Sequence, residues 1–305
     1  MEYTHILEKV VIILIGGMVM YYTSSLLMDK FLDEETITDT YIKQLGSFLP
    51  LNKYEISILN DIVDTDDINE SFNDIIGHEV IKDDMRTVII DPLNENIDIE
   101  LPNGVIFYGP PGTGKSMFAR CIAKETKSTF INFSLSNVEN KMYGESTKYL
   151  KAVFTLADKL SPCIIFIDEL DGFGSSRNNM DQHHINSLKT QFLTHVDGLI
   201  KKNSKIICIG ATNRLDIIDK AVKRRMRKHI LLPLPDEIEI KKLFEKHLGT
   251  LSGHLTDDMI EECEGLSGSD IYELSKNIKL HSLKNKDFKD VFDKQSLCFT
   301  NETCS

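Results

Sequence analysis

The chain has 305 residues, enough for one to three domains, and its 41% hydrophobic and 27% charged residues are typical of globular protein. Its net charge of −12 argues against a general nucleic-acid-binding coat, because phosphate binding requires a basic surface. The acidity is concentrated between residues 29 and 74, which carry twelve acidic residues and three lysines. The six cysteines form no CxxC pair, which indicates reduced thiols in a domain that faces the cytosol.

The first predicted element is an apolar helix over Val10–Met28, a run of nineteen residues without a charge. At 1.5 Å per residue this helix is about 28 Å long, close to the thickness of the hydrocarbon core of a bilayer. A cleaved signal peptide would begin with basic residues, whereas this N-terminus carries Glu2, Glu8 and Lys9. A buried core helix would rarely lack charges over such a length. We therefore predict a single transmembrane helix over 10–28, with the short N-terminus 1–9 on the non-cytosolic side.

An acidic segment over residues 29–70 follows the predicted anchor. Its apolar residues Tyr54, Ile56, Leu59 and Ile62 have the spacing of a short amphipathic helix. We predict that this segment is a linker subdomain.

Short apolar runs then alternate with helical stretches over residues 71–232, which we assign to a large domain. This alternation predicts an α/β fold with a parallel five-stranded sheet sandwiched by helices. The strand candidates are Val105–Tyr108, Thr129–Phe133, Cys163–Asp168, Lys205–Gly210 and His229–Leu232. Two prolines mark the end of this domain. Beyond them, Asp236–Leu248 and Thr256–Leu283 predict helices of a small domain over 233–305.

A glycine-rich loop follows the first of these strands and has the pattern G-x-x-x-x-G-K-[ST]. Its glycines let backbone N–H groups converge on phosphate oxygens, and the N-terminus of the next helix adds positive potential. Lys115 can reach the β- and γ-phosphates, and Ser116 can offer its hydroxyl to Mg²⁺. A chance glycine-rich turn would rarely combine this loop with a strand before it and a helix after it. We therefore predict that a nucleoside triphosphate is bound by Gly109, Pro110, Pro111, Gly112, Thr113, Gly114, Lys115, Ser116 and Met117.

Two carboxylates end the apolar strand Cys163–Asp168, 53 residues beyond Lys115. A buried strand would place Asp168 beside the phosphate loop, where it can organise Mg²⁺ through a water molecule. Glu169 can then polarise the attacking water. The alternative is a pair of solvated acids at a strand end, with Asp171 continuing the run. The presence of the phosphate loop favours the interpretation that these acids take part in hydrolysis. The N-K-x-D pattern of guanine-specific GTPases is missing, which argues against a GTPase.

Two further segments, Lys205–Arg214 (KIICIGATNR) and Gly265–Asp270 (GLSGSD), complete a pattern that resembles the AAA family of ATPases. The resemblance covers roughly residues 71–283. It implies ATP and Mg²⁺ as cofactors and a small all-helical lid domain after the large domain. The further nucleotide-site residues that it implies are Asn213 at the γ-phosphate, Ile76 and Gly77 on the adenine side, and Gly268 and Ser269 on the lid.

A basic cluster between Lys220 and Lys228 contains six lysines and arginines in nine residues. Alone, it could be a nuclear-localisation signal, a nucleic-acid patch or a solvated face. Within the AAA pattern, Arg224 and Arg225 resemble the arginine fingers that enter the site of the neighbouring subunit. Such a finger contributes about 10³–10⁵ in rate. The resemblance therefore implies a homo-oligomeric ring, with a hexamer as the expected form, and no nucleic-acid partner.

The whole chain further resembles the membrane-anchored extractases of the outer mitochondrial membrane. This resemblance depends on the predicted anchor and on the segments Leu51–Asn60, Asn140–Ser146 and Asp181–Leu199. Such proteins pull mislocalised tail-anchored proteins from mitochondrial and peroxisomal membranes, so the implied clients are unfolded or tail-anchored membrane proteins. Met142 and Tyr143 correspond to the aromatic pair of the first pore loop, which grips the substrate. Met142 stands where the family usually has Trp, and its apolar, adaptable side chain is compatible with gripping.

Other interpretations are less well supported. Adjacent residues such as His183 and His184 point about 100° apart on a helix, so they do not predict a metal site. The absence of HExxH excludes a membrane AAA metalloprotease as a close relative. The rivals that stay open are a microtubule-severing or ESCRT-disassembling ATPase, a nucleotide-gated membrane scaffold and a nucleic-acid motor. We expect a single-pass protein of the mitochondrial outer membrane, or else of the peroxisome, with its ATPase domain in the cytosol.

Overall fold

The computed structural model describes residues 51–95, 101–102, 104–134, 145–173, 179–202, 205–282, 288–289, 291–292 and 296. The predicted anchor at 10–28 and the predicted pore-loop residues Met142 and Tyr143 lie outside these ranges. Within them, no helix has both the length and the hydrophobicity that a bilayer crossing requires. The elements named below all belong to one compact unit, Lys53–Ser305.

The described helices and strands alternate through the first two thirds of this unit. The helices are α1 (Lys53–Ile58), α2 (Glu79–Met85), α3 (Asp91–Asn94), α4 (Lys115–Glu125), α5 (Ser146–Lys159), α6 (Asn179–Lys202), α7 (Lys220–Arg225), α8 (Glu237–Leu248), α9 (Asp257–Glu261) and α10 (Gly268–Ser282). The strands are β1 (Ile62–Val63), β2 (Gly104–Tyr108), β3 (Thr129–Ser134), β4 (Cys163–Asp168), β5 (Ile206–Thr212) and β6 (Lys228–Leu231). A π-helical turn, Arg86–Ile90, joins α2 to α3.

The strands form one mixed sheet in the order β1-β3-β4-β5-β2-β6. The five predicted strands are present and are parallel to one another, but the predicted count of five is wrong because β1 pairs antiparallel with β3. β1 has two residues and comes from the segment predicted as linker, so it has no recognisable strand pattern of its own. Tyr108 lies opposite Thr212 on the neighbouring strand, and Ser134 lies opposite Asp168. The carboxyl ends of these strands therefore meet at one edge of the sheet.

The sheet is buried on both faces. Every residue of β5 is buried, and β4 is buried from Cys163 to Ile167. Because neighbouring residues of a strand point to opposite faces, helices or loops must cover both sides of these strands. On one face Phe118 of α4 packs between Phe72 and Phe107, with ring centroids 5.8 Å and 5.7 Å away.

The segment that precedes the sheet is fastened to helix α5. Glu55 of α1 is 1% exposed, and its two carboxylate oxygens accept hydrogen bonds of 2.8 Å from Thr155 and Lys159. Tyr54 donates a hydrogen bond of 3.0 Å to Glu145, which directly precedes α5. A short helix is thus present as predicted, but it ends at Ile58, because Leu59 lies in a 3-10 turn and Ile62 in strand β1. It packs on α5 through the buried charge of Glu55.

The C-terminal helices enclose an apolar core of their own, which includes Ile240, Phe244, Cys263, Leu274 and Phe292. The single helix predicted over Thr256–Leu283 is wrong, because the structure has two helices there, α9 and α10. Gly265, with φ of 89°, lies between the two helices and prevents them from forming one continuous helix. Ser267 and Asp270 exchange hydrogen bonds at the start of α10. Left-handed backbone of this kind is typical of glycine at the end of a helix.

Candidate functional site

The glycine-rich loop connects the end of β2 to the N-terminus of α4, as predicted. Gly114 precedes Lys115 with φ of 89°, so the helix begins directly after a left-handed residue. Gly109 and Gly112 also have positive φ, and a Cβ on Gly109 would lie 2.1 Å from the carbonyl oxygen of Leu232. The loop therefore needs glycine both for its backbone angles and for its close packing. It leaves the N–H groups at the start of an eleven-residue helix at the sheet edge, a common arrangement for binding phosphate.

Lys115 is held close to this loop. Its ammonium group donates hydrogen bonds of 2.9 Å and 2.6 Å to the carbonyl oxygens of Gly109 and Pro110. Burial lowers the pKa of Lys115, and the negative charge of Asp168 opposes that shift. The fold thus brings the phosphate-loop lysine and the last residue of β4 into electrostatic contact, as the sequence analysis expected.

Asp168, the last residue of β4, and Glu169, which follows it, are exposed at the same edge of the sheet. Glu169 has φ of 51°, a left-handed conformation that is uncommon outside glycine. Its backbone N–H donates a hydrogen bond of 2.9 Å to the carboxylate of Asp168. This tight turn leaves two exposed carboxylates next to each other at the end of β4.

The oxygen donors at this edge fit Mg²⁺. The hydroxyl of Ser116 lies in the first turn of helix α4, and the carboxylate of Asp168 ends β4. Mg²⁺ usually takes one or two such protein ligands and fills its shell with water and phosphate oxygens. The described residues contain no cluster of three or more His, Cys, Asp or Glu side chains that could hold a metal without a phosphate. The donor set is therefore suited to a metal that arrives with a nucleotide.

A hydrogen-bonded bridge that the sequence analysis missed joins the ends of β4 and β5. The Thr212 hydroxyl donates a hydrogen bond of 2.8 Å to the carboxylate of Asp171 and accepts one of 3.0 Å from the backbone N–H of Arg214. Asn213 lies between these two bonded residues and is exposed. Asp171 is thus more than a continuation of an acidic run, since it fixes the turn that carries Asn213. The only signal in the sequence is the third acid, two residues after Glu169.

The predicted arginine fingers lie at the end of α7 and differ from each other. Arg224 is exposed. The Nε of Arg225 donates to both carboxylate oxygens of Asp197 on α6 at 2.9 Å, and its Nη1 donates to the carbonyl oxygen of Ala221 at 3.3 Å. These partners of Arg225 belong to α6 and α7 and not to the phosphate loop of the same chain.

A largely apolar cleft of about 260 Å³ lies between the phosphate loop, the segment around Ile76 and the C-terminal helices. Its walls bring together many of the predicted nucleotide-site residues. The predicted residues among the lining are Ile76, Gly112, Thr113, Gly114, Met117, Gly268 and Ser269. The walls also contain Ile75, Leu243, His247 and Tyr272, which the sequence did not indicate. Gly77 is not among the lining residues. Its φ of 76° and the carboxylate of Glu239, which lies where a Cβ would point, explain why glycine occupies this position.

Three contacts fasten the C-terminal helices to the rim of the cleft. The backbone N–H of Ser269 donates a hydrogen bond of 3.2 Å to the carbonyl oxygen of Gly112. Lys246 donates one of 2.9 Å to the carboxylate of Asp74, and the hydrogen bonds from Lys246 and Ser71 lower the pKa of Asp74 to about 2. The third is the bond of 3.3 Å from the N–H of His78 to Glu239. A ligand in the cleft would therefore touch both the phosphate loop and the C-terminal helices.

Comparison with known proteins agrees with this geometry. Residues 105–234 match the family described as "ATPase family associated with various cellular activities (AAA)". The human protein named outer mitochondrial transmembrane helix translocase is 36% identical over 287 residues, which cover 87% of this chain and 79% of that relative. The chain belongs to the AAA ATPase family.

Two solved AAA structures are also similar. The FIGL-1 AAA domain in complex with ADP has a TM-score of 0.61 and 28% identity, and the match covers 74% of this chain and 82% of that one. A katanin structure, described as the structural basis for katanin self-assembly, has a TM-score of 0.64 and 31% identity, with 78% and 80% covered. As an AAA ATPase, the present chain binds and hydrolyses ATP.

Proposed function

We propose that this AAA ATPase is a membrane-anchored ring that uses ATP hydrolysis to pull mislocalised tail-anchored proteins out of the membrane. The proposal is supported by the similarity to the human translocase over 87% of the chain, together with a cleft that the phosphate loop and the C-terminal helices line. The proposed anchor is the apolar segment Val10–Met28. By analogy with the relative's name, the host is the mitochondrial outer membrane, with the peroxisomal membrane as the alternative.

In the proposed hydrolytic step, Lys115 and the loop N–H groups orient the β- and γ-phosphates. Ser116 and Asp168 would hold Mg²⁺, Asp168 through a water molecule, and the metal would neutralise developing phosphate charge. Glu169 orients and polarises the attacking water. Asn213 contacts the γ-phosphate, from the turn that Thr212 and Asp171 fix. The adjacent, exposed positions of Asp168 and Glu169 at the end of β4 support these roles.

The proposed site is completed by a second copy of the chain. The arginine pair of α7, Arg224 and Arg225, supplies guanidinium charge to the neighbour's γ-phosphate, so that hydrolysis requires assembly into a ring, with a hexamer as the proposed form. The exposure of Arg224 at the end of a short helix supports this role. Similarity to a katanin structure described in terms of self-assembly supports ring formation.

Work on the client would come from movement of the lid against the large domain. The cleft is bounded by both domains, so the loss of the γ-phosphate changes contacts that span them. Met142 and Tyr143, in the proposed pore loop, would grip an unfolded client. Tyr143 stands three residues before Ser146 in the sequence, where helix α5 begins.

A second candidate comes from the similarity to katanin at 31% identity. A microtubule-severing ATPase would act on a filament and would need no bilayer. The two functions differ in one simple property: a severing enzyme would work in solution, whereas the proposed extractase needs its client and itself in the same membrane.

The test is removal of a tail-anchored reporter from liposomes that contain the full-length protein. The wild-type protein should release the reporter with ATP, and Glu169→Gln should bind ATP normally yet lose turnover by about 10²-fold or more. Glu245→Gln, which changes an exposed glutamate on α8, is the matched control and should behave as wild type. Full turnover by Glu169→Gln would disprove the hydrolytic assignment. Turnover without release, combined with severing of microtubules, would favour the second candidate.

A further inference from the structure

Helix α7 carries both predicted finger arginines, and α6 holds it at both ends. At its start, Asp219 caps α7 by accepting a hydrogen bond of 2.7 Å from the N–H of Ala221, and its other oxygen accepts one of 2.7 Å from Lys189 of α6. At its end, Arg225 pairs with Asp197 of α6. Lys189 and Asp197 are eight residues apart, about 12 Å or two turns along one helix. The two ion pairs therefore set the position of α7 along α6.

The same geometry separates the directions of the two arginines. Adjacent residues on a helix point about 100° apart, so an Arg225 side chain that faces α6 requires Arg224 to point elsewhere. Among the described residues, no hydrogen bond or ion pair reaches the Arg224 side chain, which is exposed. Arg225 uses its Nε on both oxygens of one carboxylate, and one of its terminal nitrogens on the carbonyl oxygen of Ala221. Arg225 thus uses two of its five N–H donors within its own chain, whereas Arg224 uses none among the described residues.

We infer that the two arginines, proposed above to act as a pair, have different roles, which narrows that proposal. Arg224 alone contacts the neighbour's phosphate, and Arg225, together with Asp197, positions helix α7 to present it. This inference rests on the proposed function, in which a ring neighbour supplies the guanidinium. It assigns Arg225 and Asp197 as positioning residues and Arg224 as the catalytic one. Val222 and Met226 of the same segment are fully buried, so loss of the Asp197 pair would loosen α7 without unfolding it.

The experiment is a double-mutant cycle on steady-state ATPase activity in the full-length, detergent-solubilised protein. Arg224→Ala should lower kcat by about 10³-fold. Asp197→Asn should lower it about fivefold, with KM for ATP unchanged, because a half-exposed ion pair contributes modestly. In the Arg224→Ala background, Asp197→Asn should have no further effect, since its influence passes through Arg224. A merely structural role would lower the rate by the same factor in both backgrounds, which would overturn the inference.

The second arm combines Asp197→Asn with Arg225→Ala. If Arg225 only positions the helix, the double variant should stay within about twofold of Arg225→Ala. A loss of about 10³-fold on removing Arg225, with or without Asp197, would mean that Arg225 itself contacts phosphate and would overturn the inference. If Arg225→Ala does not fold, Arg225→Lys replaces it. The positioning role predicts that kcat of this variant falls no further than that of Asp197→Asn. Contact with phosphate predicts that kcat falls nearly as far as in Arg224→Ala.

A control variant and one further outcome distinguish a failure of this inference from a failure of the proposed function. Asp257→Asn breaks a longer and more exposed ion pair, with Lys241 at 3.7 Å on the lid helices, and should leave the rate unchanged. If Arg224→Ala retains the wild-type rate, the proposed assembly-dependent site itself fails. If Arg224→Ala is inactive but the cycle is additive, only the division of roles fails.

Discussion

The hydroxyl of Thr212 donates a hydrogen bond of 2.8 Å to the carboxylate of Asp171, which joins the ends of two neighbouring parallel strands beside the phosphate loop. Thr212 is 2% exposed, so this bond is protected from water. Thr212 directly precedes Asn213, and Asp171 closely follows the hydrolytic acids. The relative position of Asn213 and Glu169 therefore depends on a contact between two residues that do not themselves touch the proposed reaction.

Thr212→Val tests this bridge. Valine has the shape of threonine but no hydroxyl, so the substitution leaves Asp171 without its donor and releases the N–H of Arg214. We expect kcat to fall about tenfold with little change in KM for ATP, because the change affects alignment for hydrolysis rather than binding. Thr194→Val on α6, where an exposed hydroxyl bonds to its own helix, is the control and should retain activity. Equal activity of the two variants would show that the bridge has no role in turnover.

Lys246→Met tests the contact between lid and large domain. Loss of the 2.9 Å ion pair with Asp74 should weaken ADP binding about twofold to fivefold, measured by fluorescence titration, because Asp74 and Lys246 both line the cleft. Lys241→Met, which removes an exposed lid lysine paired at 3.7 Å, should leave the affinity unchanged. Unchanged ADP binding by Lys246→Met would show that the Lys246–Asp74 ion pair does not contribute to nucleotide affinity.

The same ion pair gives a pH dependence of stability. The pKa of Asp74 is lowered from 3.8 to about 2 in the folded protein, first by the hydrogen bond from Lys246 and then by those from Ser71. A lowered pKa favours the charged carboxylate in the folded state, so its contribution is complete above about pH 5 and is lost as the pH falls toward about 2. In urea unfolding, the difference in the free energy of unfolding between wild type and Asp74→Asn should be constant above about pH 5 and should become smaller below about pH 4. A gap that widens on acidification would contradict this assignment.

Glu55→Gln tests the attachment of α1 to α5. The carboxylate is 1% exposed and accepts from both Thr155 and Lys159, so the substitution removes the buried negative charge that faces this lysine. We expect the free energy of unfolding to fall by about 2 kcal/mol, measured by urea denaturation. Glu273→Gln, whose exposed partner Lys276 lies one turn away on α10, should change it by less than about 0.5 kcal/mol. Similar losses in the two variants would show that the Glu55 contact adds nothing to stability.

Much of the large domain can be predicted from the sequence, because its signals are local. Strand β4 has the predicted bounds, Cys163–Asp168, and β2 begins one residue before the predicted Val105. The phosphate loop is recognisable because its residues are contiguous. Short apolar runs between helices are sufficient to predict the parallel part of the sheet.

What the sequence does not reveal depends on contacts between distant residues. The two-residue strand β1 exists only because β3 offers it an edge, and Asp171 gains its role only from Thr212, 41 residues later. The division between Arg224 and Arg225 likewise depends on Asp197, 28 residues before Arg225. No periodic pattern signals such pairs, because each is a single side-chain contact formed by the tertiary fold.

The most direct test of the account is the ATPase rate per subunit measured against protein concentration, with the oligomeric state determined by light scattering on the same samples. The account predicts that the rate rises as rings form and that Arg224→Ala rings remain about 10³-fold slower than wild type at every concentration. A wild-type monomer that hydrolyses ATP at the full rate, or an Arg224→Ala variant as fast as wild type, would contradict it.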